Sequence, residues 1–257
     1  MKKYALITGA SSGIGLAFAE IFAKDNTNLI LVARSIDTLK SIQTHLEETY
    51  KIEVHIIEKD LSNLKSAEEV FEYTTSNKLE ISYLINNAWF GDFGNFLESD
   101  LNRNSQMISL NTISLTNFCR LYGERMKNNK FWRILNVAST AAFQPGPYMA
   151  VYFATKSYVL NFSLALGSEL KENGITETAL CPGPTATKFE STANADGVAF
   201  FQGKLPTSDE VAAFGYRKMN QGKKVAIHGF MNTIKAVSVK FLPIDIQLLM
   251  MQFIMKR

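Results

Sequence analysis

Short β-branched runs alternate with longer helical patterns along most of the chain, and that alternation leaves few folds open. Residues 28–33 (Asn-Leu-Ile-Leu-Val-Ala) are almost wholly apolar, as a parallel strand covered on both faces requires. Similar runs at 4–8, 53–57, 81–86, 133–138, 176–180 and 224–228 predict six more strands. Between them, apolar residues recur at helical spacing over 15–24, 36–50, 62–76, 105–127 and 149–173; Leu39, Ile42 and Leu46 form one such set. The pattern predicts an α/β, doubly wound, mostly parallel seven-stranded sheet with helices on both faces, since crossovers between parallel strands are right-handed. No repeat, low-complexity tract or Pro/Gly-rich linker divides the 257 residues, so residues 1–257 read as a single domain.

Composition narrows the partners. Lys and Arg total 27 against 24 Asp and Glu, a balance that predicts no nucleic-acid partner. The two cysteines, Cys119 and Cys181, lie inside apolar stretches and read as reduced core residues of a cytoplasmic protein. His45, His55 and His228 lack metal-ligand spacing, so no metal site is expected. Lys2 and Lys3 precede an apolar run, but that run stops at Gly9, too soon for a secretory signal. No stretch has the apolar length of a membrane span, and no membrane association is expected.

Four features carry chemistry. After the first strand the chain reads Thr8-Gly9-Ala10-Ser11-Ser12-Gly13-Ile14-Gly15. Glycines there let the backbone turn tightly and approach a pyrophosphate at a helix N-terminus. The second strand ends at Arg34 and Ser35. An acidic residue would bind a ribose 2′-hydroxyl at that place, whereas a guanidinium suits a 2′-phosphate. Arg34 therefore predicts NADP(H) in preference to NAD(H). Tyr152 and Lys156 stand four apart in a helical stretch, on one helix face. An ammonium beside a phenol favours phenolate and eases proton exchange. Ser139 closes the fifth strand, where a hydroxyl can meet a substrate carbonyl. A glycine cluster or a Tyr-x-x-x-Lys pair is uninformative alone; their order and spacing together are not.

From residue 3 to about residue 187 the chain resembles the short-chain dehydrogenase/reductase family, nearest its DltE-like, 3-ketoacyl and hydroxysteroid reductases. The resemblance rests on Thr8-Gly9-x-x-x-Gly13-x-Gly15, Asn86-Asn87-Ala88, Asn111, Ser139, Tyr152-x-x-x-Lys156 and Pro182-Gly183-x-x-x-Thr187. It implies a Rossmann-type fold and a catalytic tetrad. In that tetrad Tyr152 is the general acid/base, and Lys156 lowers its pKa and holds the nicotinamide ribose. Ser139 orients the carbonyl, and Asn111 helps hold a water that links Lys156 to solvent. It further implies cofactor contacts from Gly9, Ser11, Ser12, Gly13, Ile14, Gly15, Arg34 and Ser35. Others would come from Asp60 and Leu61 at the adenine, Asn87 and Ala88 along the fourth strand, and Pro182, Gly183, Thr185 and Thr187 over the nicotinamide.

One position departs from the family. Where Gly usually follows Asn-Asn-Ala, this chain has Trp89; a Gly there could hold backbone angles that strain a Trp. Two segments are expected to flank the nicotinamide, residues 140–149 and a substrate loop over about 184–206. They offer Phe143, Tyr148, Met149, Phe189, Phe200 and Phe201, which predicts a hydrophobic carbonyl or alcohol substrate. The small, polar middle of the second segment, 191–197, suits a mobile lid. The apolar tail over 236–257 reads as a docking or subunit-contact element, and the resemblance implies a homodimer or homotetramer. Two other readings stay open: a cofactor-binding regulatory protein without turnover, and a membrane-surface-associated lipid or acyl reductase.

Overall fold

The run Leu-Ile-Leu-Val at 29–32 gives a strand no polar face, so both its faces need cover. In the structure, a computed structural model describing residues 3–127, 132–195, 197–198 and 203–255, it forms β2 (Asn28–Ala33), buried from residue 29 onward. It belongs to a sheet with β1 (Lys3–Thr8), β3 (Val54–Glu58), β4 (Glu80–Asn86), β5 (Trp132–Val137), β6 (Ile175–Cys181) and β7 (Val225–Ile227). Every pairing is parallel, and the order is β3-β2-β1-β4-β5-β6-β7. The expected mostly parallel, doubly wound, Rossmann-type sheet is thus wholly parallel. The chain winds outward from β1 in one direction and resumes beside it at β4. The carboxyl ends of β1 and β4 therefore flank the crevice where ligands of such sheets bind.

Alternation along each strand feeds two cores. Ala5, Ile7, Leu29 and Leu31 face α1 (Gly13–Lys24) and α2 (Ile36–Tyr50). Tyr4, Leu6, Ile30 and Leu84 pack with α3 (Ser66–Ser76), α5 (Leu115–Met126) and α6 (Ala150–Glu169). Between α4 (Leu101–Ile108) and α5, residues Ser109–Ser114 form a π-helical segment, so the expected helix at 105–127 is one path with a widened turn. It starts early because Asp100 caps it, accepting from the N–H groups of Asn102 (2.7 Å) and Arg103 (3.2 Å). The helix expected from 62 starts at Ser66 because Asp60 accepts from both N–H and hydroxyl of Ser62 and bends the chain first.

A third apolar cluster forms at the crevice end. Met107, Met149, Tyr152 and Phe153 meet Ala193, Ala195 and Val198, which follow α7 (Phe189–Thr192). Beyond it lie α8 (Ser208–Asn220), α9 (Phe230–Ser238) and α10 (Ile244–Ile254). Among the described residues no helix is long and apolar enough to cross a membrane.

Candidate active site

The glycine turn is held from beneath by the end of β4. Thr8 Oγ1 accepts from the N–H groups of Asn87 (2.9 Å) and Ala88 (3.0 Å), and the Asn87 amide donates to the carbonyl oxygens of Thr8 (3.0 Å) and Gly9 (3.1 Å). Asn87 thus lines the crevice while its side chain fastens the turn. Gly9 and Gly13 adopt φ of 65° and 56°, which favour glycine. A Cβ on Gly15 would lie 2.2 Å from the Gly9 carbonyl oxygen. Ser12 caps α1 without a side-chain hydrogen bond, leaving the first helical N–H groups to a ligand.

Above this turn opens a cavity of about 270 Å³, walled in part by Gly9, Ser11, Ser12, Gly13, Ile14, Arg34, Asp60, Leu61, Asn87, Ala88 and Thr187. The fold therefore gathers most of the sequence candidates for a dinucleotide around one hollow. A cradle that side chains on its glycines would fill, with exposed Arg34 at the rim, fits a dinucleotide phosphate. Ser35 does not line the cavity; its hydroxyl lies 2.9 Å from Thr38 Oγ1, at the start of α2. Lys59, Phe90, Gln106, Leu110, Lys188 and Thr192 join the wall. Lys188 and Thr192 belong to the expected substrate loop, whereas Lys59, Phe90, Gln106 and Leu110 carry no sequence signal, because each reaches the cavity through tertiary packing alone.

A smaller cavity of about 40 Å³ adjoins it, between the ends of β5 and β6. Ser139, Tyr152, Pro182, Gly183, Thr185 and Thr187 line it, with Trp89, Met149, Phe153 and Phe189. Ser139 Oγ accepts from the N–H of Ala141 (3.1 Å) and donates to the Pro182 carbonyl (3.4 Å). Lys156 is buried beside this wall; its Nζ donates to the Val137 carbonyl at 2.8 Å and lies 5.8 Å from the Tyr152 ring centroid.

Burial governs the charges. It pushes the Tyr152 phenol above its ordinary value, with a Ser139 hydrogen bond pulling the other way. It holds the Lys156 ammonium well below its ordinary value, opposed by Cys181. The Cys181 thiol is itself pushed up to about 12 by burial. The Lys156 amine is bonded to the Val137 carbonyl and covered by an aromatic face, so burial governs the phenol in this arrangement.

Asn111 is buried and bridges two segments. Its amide donates to the Phe90 carbonyl (2.9 Å) and Thr155 Oγ1 (3.0 Å), and its oxygen accepts from the Phe90 N–H (3.2 Å). The side chain thereby staples the segment after β4 to the helix bearing Tyr152. Trp89 does not adopt a positive φ, so the backbone strain expected there is absent. Its indole lies between the two cavities, with ring centroids 4.9 Å from Phe189 and 6.0 Å from Tyr152.

The apolar residues expected around the nicotinamide divide. Met149 and Phe189 line the smaller cavity. Phe143 instead packs against the core of α5 and α6, and Tyr148 is exposed at a φ of 64°. Phe200 and Phe201 lie outside the described residues. The middle of the loop is pinned rather than loose: Arg103 donates to the Thr192 carbonyl (2.6 Å), Asn194 to Asp92 (2.9 Å), and Ala193 and Ala195 are buried. Small side chains there pack into the third core cluster instead of serving a free lid.

The short chain dehydrogenase family model matches residues 3–197. The chain belongs to the short-chain dehydrogenase family. This dehydrogenase is 33% identical over 195 residues to the very-long-chain 3-oxoacyl-CoA reductase of Rattus norvegicus, covering 73% of this chain and 61% of the rat enzyme. It spans about three fifths to two thirds of the curated relatives it matches. Its structure is similar to a short-chain dehydrogenase from Sphingobium yanoikuyae in complex with NADPH, with a TM-score of 0.85, 28% identity, and 94% and 93% of the two chains covered. It is also similar to the bulky-bulky ketone specific alcohol dehydrogenase from Comamonas testosteroni, with a TM-score of 0.79, 27% identity, and 94% and 92% covered. The enzyme is an NAD(P)-dependent short-chain dehydrogenase/reductase.

Proposed function

We propose that residues 1–257 act as one domain that reduces a hydrophobic ketone or aldehyde to its alcohol, reversibly, in the cytoplasm, with NADP(H) preferred over NAD(H). The observation that carries this reading is the meeting of Tyr152 and Ser139 in one cavity beside a glycine cradle rimmed by Arg34. A bound dinucleotide supplies or accepts the hydride. Gly9, Ser11, Ser12, Gly13, Ile14 and Gly15 would hold its pyrophosphate, Arg34 its 2′-phosphate, and Asp60 and Leu61 its adenine. Asn87, Ala88, Pro182, Gly183, Thr185 and Thr187 would flank its nicotinamide side, and Lys156 would hold its ribose.

The residues of this chain do the proton chemistry. Ser139 holds the substrate oxygen by a hydrogen bond and polarises the carbonyl. Tyr152 donates its phenolic proton as negative charge grows on that oxygen, and takes a proton back in alcohol oxidation. A phenol kept protonated by burial suits the reducing direction, since a developing alkoxide is far more basic. Asn111 acts as a positioning residue, through the Phe90 and Thr155 bonds that join the Trp89 segment to the helix of Tyr152.

Met149, Phe153, Phe189 and Trp89 wall the reaction cavity with apolar surface. The names of the rat and Comamonas relatives point to large carbonyl compounds as well. Since about 40 Å³ is too small for such a molecule, Phe189 and Trp89 must swing aside as it binds. The exposed Ile113 and Tyr158 on the π-helical segment and α6 favour a homodimer or homotetramer joined there. NADPH oxidation over a series of ketones, 3-ketoacyl thioesters and steroids tests the reading. Rising kcat/KM with apolar area supports it, and best activity on small polar sugars refutes it.

A further inference from the structure

The last two helices are apolar where they meet the protein and apolar again where they face away from it. On α10 the inner residues Met251 and Met255 are buried. Half a turn round, Ile246, Leu249, Met250 and Phe253 fall on one outward stripe, with Leu249 69% and Phe253 79% exposed. On α9 and the turn after it, Phe230, Ile234, Val237 and Phe241 share a face by helical periodicity, with Phe230 80% and Phe241 83% exposed. Ala236 and Val239 are buried on the opposite side. A helix apolar all round belongs in a core. Here half of that surface stands in water, an arrangement that marks a binding surface.

Charge says what covers it. From residue 230 onward the chain carries Lys235, Lys240, Lys256 and Arg257 against a single acid, Asp245. Lys235 and Lys240 are both exposed, and at about 100° per residue they fall on opposite flanks of the apolar stripe of α9. Cations on both borders of an apolar face match an anionic lipid surface, where stems lie along the apolar region and ammonium groups reach the phosphates. A second copy meets the same patch across a two-fold axis and would bring like charges together.

We propose that α9 and α10 form a peripheral docking surface for anionic phospholipid, with Phe230, Ile234, Phe241, Leu249 and Phe253 entering the interface. The sequence leaves a membrane-surface reading open beside the expectation of no membrane association; the fold adds which apolar residues of the tail remain outside. It also links lipid to the reaction site. The inner face of α10 packs on Met149 and Phe153, and Met251 Sδ accepts from Gln144 Nε2 at 3.0 Å. The helix that rests on lipid is therefore the one that backs the cavity of Tyr152. The docking itself depends on nothing claimed about catalysis.

The test floats the full chain through a density gradient with vesicles of phosphatidylcholine alone, or of phosphatidylcholine and phosphatidylglycerol in equal parts. The expected result is co-flotation with the anionic vesicles, weakened by salt, and little with the neutral ones. Leu249→Asn with Phe253→Asn, and separately Lys235→Glu with Lys240→Glu, should each cut the floated fraction roughly tenfold while melting temperature and soluble-ketone activity persist. Failure of the wild type to float with either vesicle overturns the proposal, as does flotation unchanged in both variants. Conversion of an oligomer to a monomer by Leu249→Asn with Phe253→Asn, without loss of flotation, overturns it in favour of a contact between copies.

Discussion

The indole of Trp89 lies over the amine of Lys156, with Nζ 4.3 Å from the ring centroid. Where the family resemblance implies glycine, this chain thus places an aromatic ring on the very amine expected to hold the nicotinamide ribose. For Lys156 to reach a ribose the indole must move, at the cost of an aromatic–amine contact worth about 0.5–2 kcal/mol. Trp89→Gly should therefore tighten NADPH binding by up to about tenfold, measured by calorimetry. Unchanged or weaker binding would show that Trp89 does not stand in the way.

Arg34 stands at the rim of the larger cavity. Arg34→Ala should weaken NADPH binding by about ten- to a hundredfold, the worth of a charge-assisted phosphate contact of roughly 1.5–3 kcal/mol. NADH binding should barely change. Ser12, rather than a second cation, sits in the glycine turn, so the preference rests mainly on Arg34. Equal affinities of the wild type for the two cofactors would sink this assignment.

Glu177 supplies a test of the fold beneath the site. On β6 its carboxylate accepts from the Asn136 amide, and burial pushes its pKa from 4.5 to about 8. Below pH 4.5 the folded and unfolded chains both hold the proton. As pH rises from there to about 8, the unfolded chain releases it while the folded chain keeps it, so this group's contribution to stability is lost across that window. Glu177→Gln removes the titration. Thermal melts should show the variant gaining on the wild type by on the order of a few kcal/mol between pH 5 and pH 8. Parallel pH dependences in the two proteins would contradict the buried, protonated carboxyl.

Strand positions were legible because apolar runs such as 29–32 have no other use in a parallel sheet. The cofactor cradle was legible because Gly9, Gly13 and Gly15 are demanded by backbone geometry local to one turn. Side-chain relations between distant segments were not legible. Nothing in the spacing of Trp89 and Lys156 foretells that one covers the other, or that Asn111 spends its amide on Phe90 and Thr155. Aromatic content also misled: Phe143 and Tyr148 sit near the site in sequence, yet one packs into the core and the other faces solvent. The α8 helix was missed although Thr207 and Glu210 form a reciprocal capping box, a start signal readable from their spacing.

The central claim is that the Tyr152 phenol delivers the proton during carbonyl reduction. Tyr152→Phe keeps the ring that packs against Trp89 and Phe189 and removes only the hydroxyl. The decisive measurement pairs NADPH oxidation with a hydrophobic ketone and NADPH binding, both made on this variant. The account predicts that turnover falls by at least about a hundredfold, the low end of general acid catalysis, while NADPH affinity stays within a few-fold of wild type. Near-normal turnover in Tyr152→Phe would contradict it.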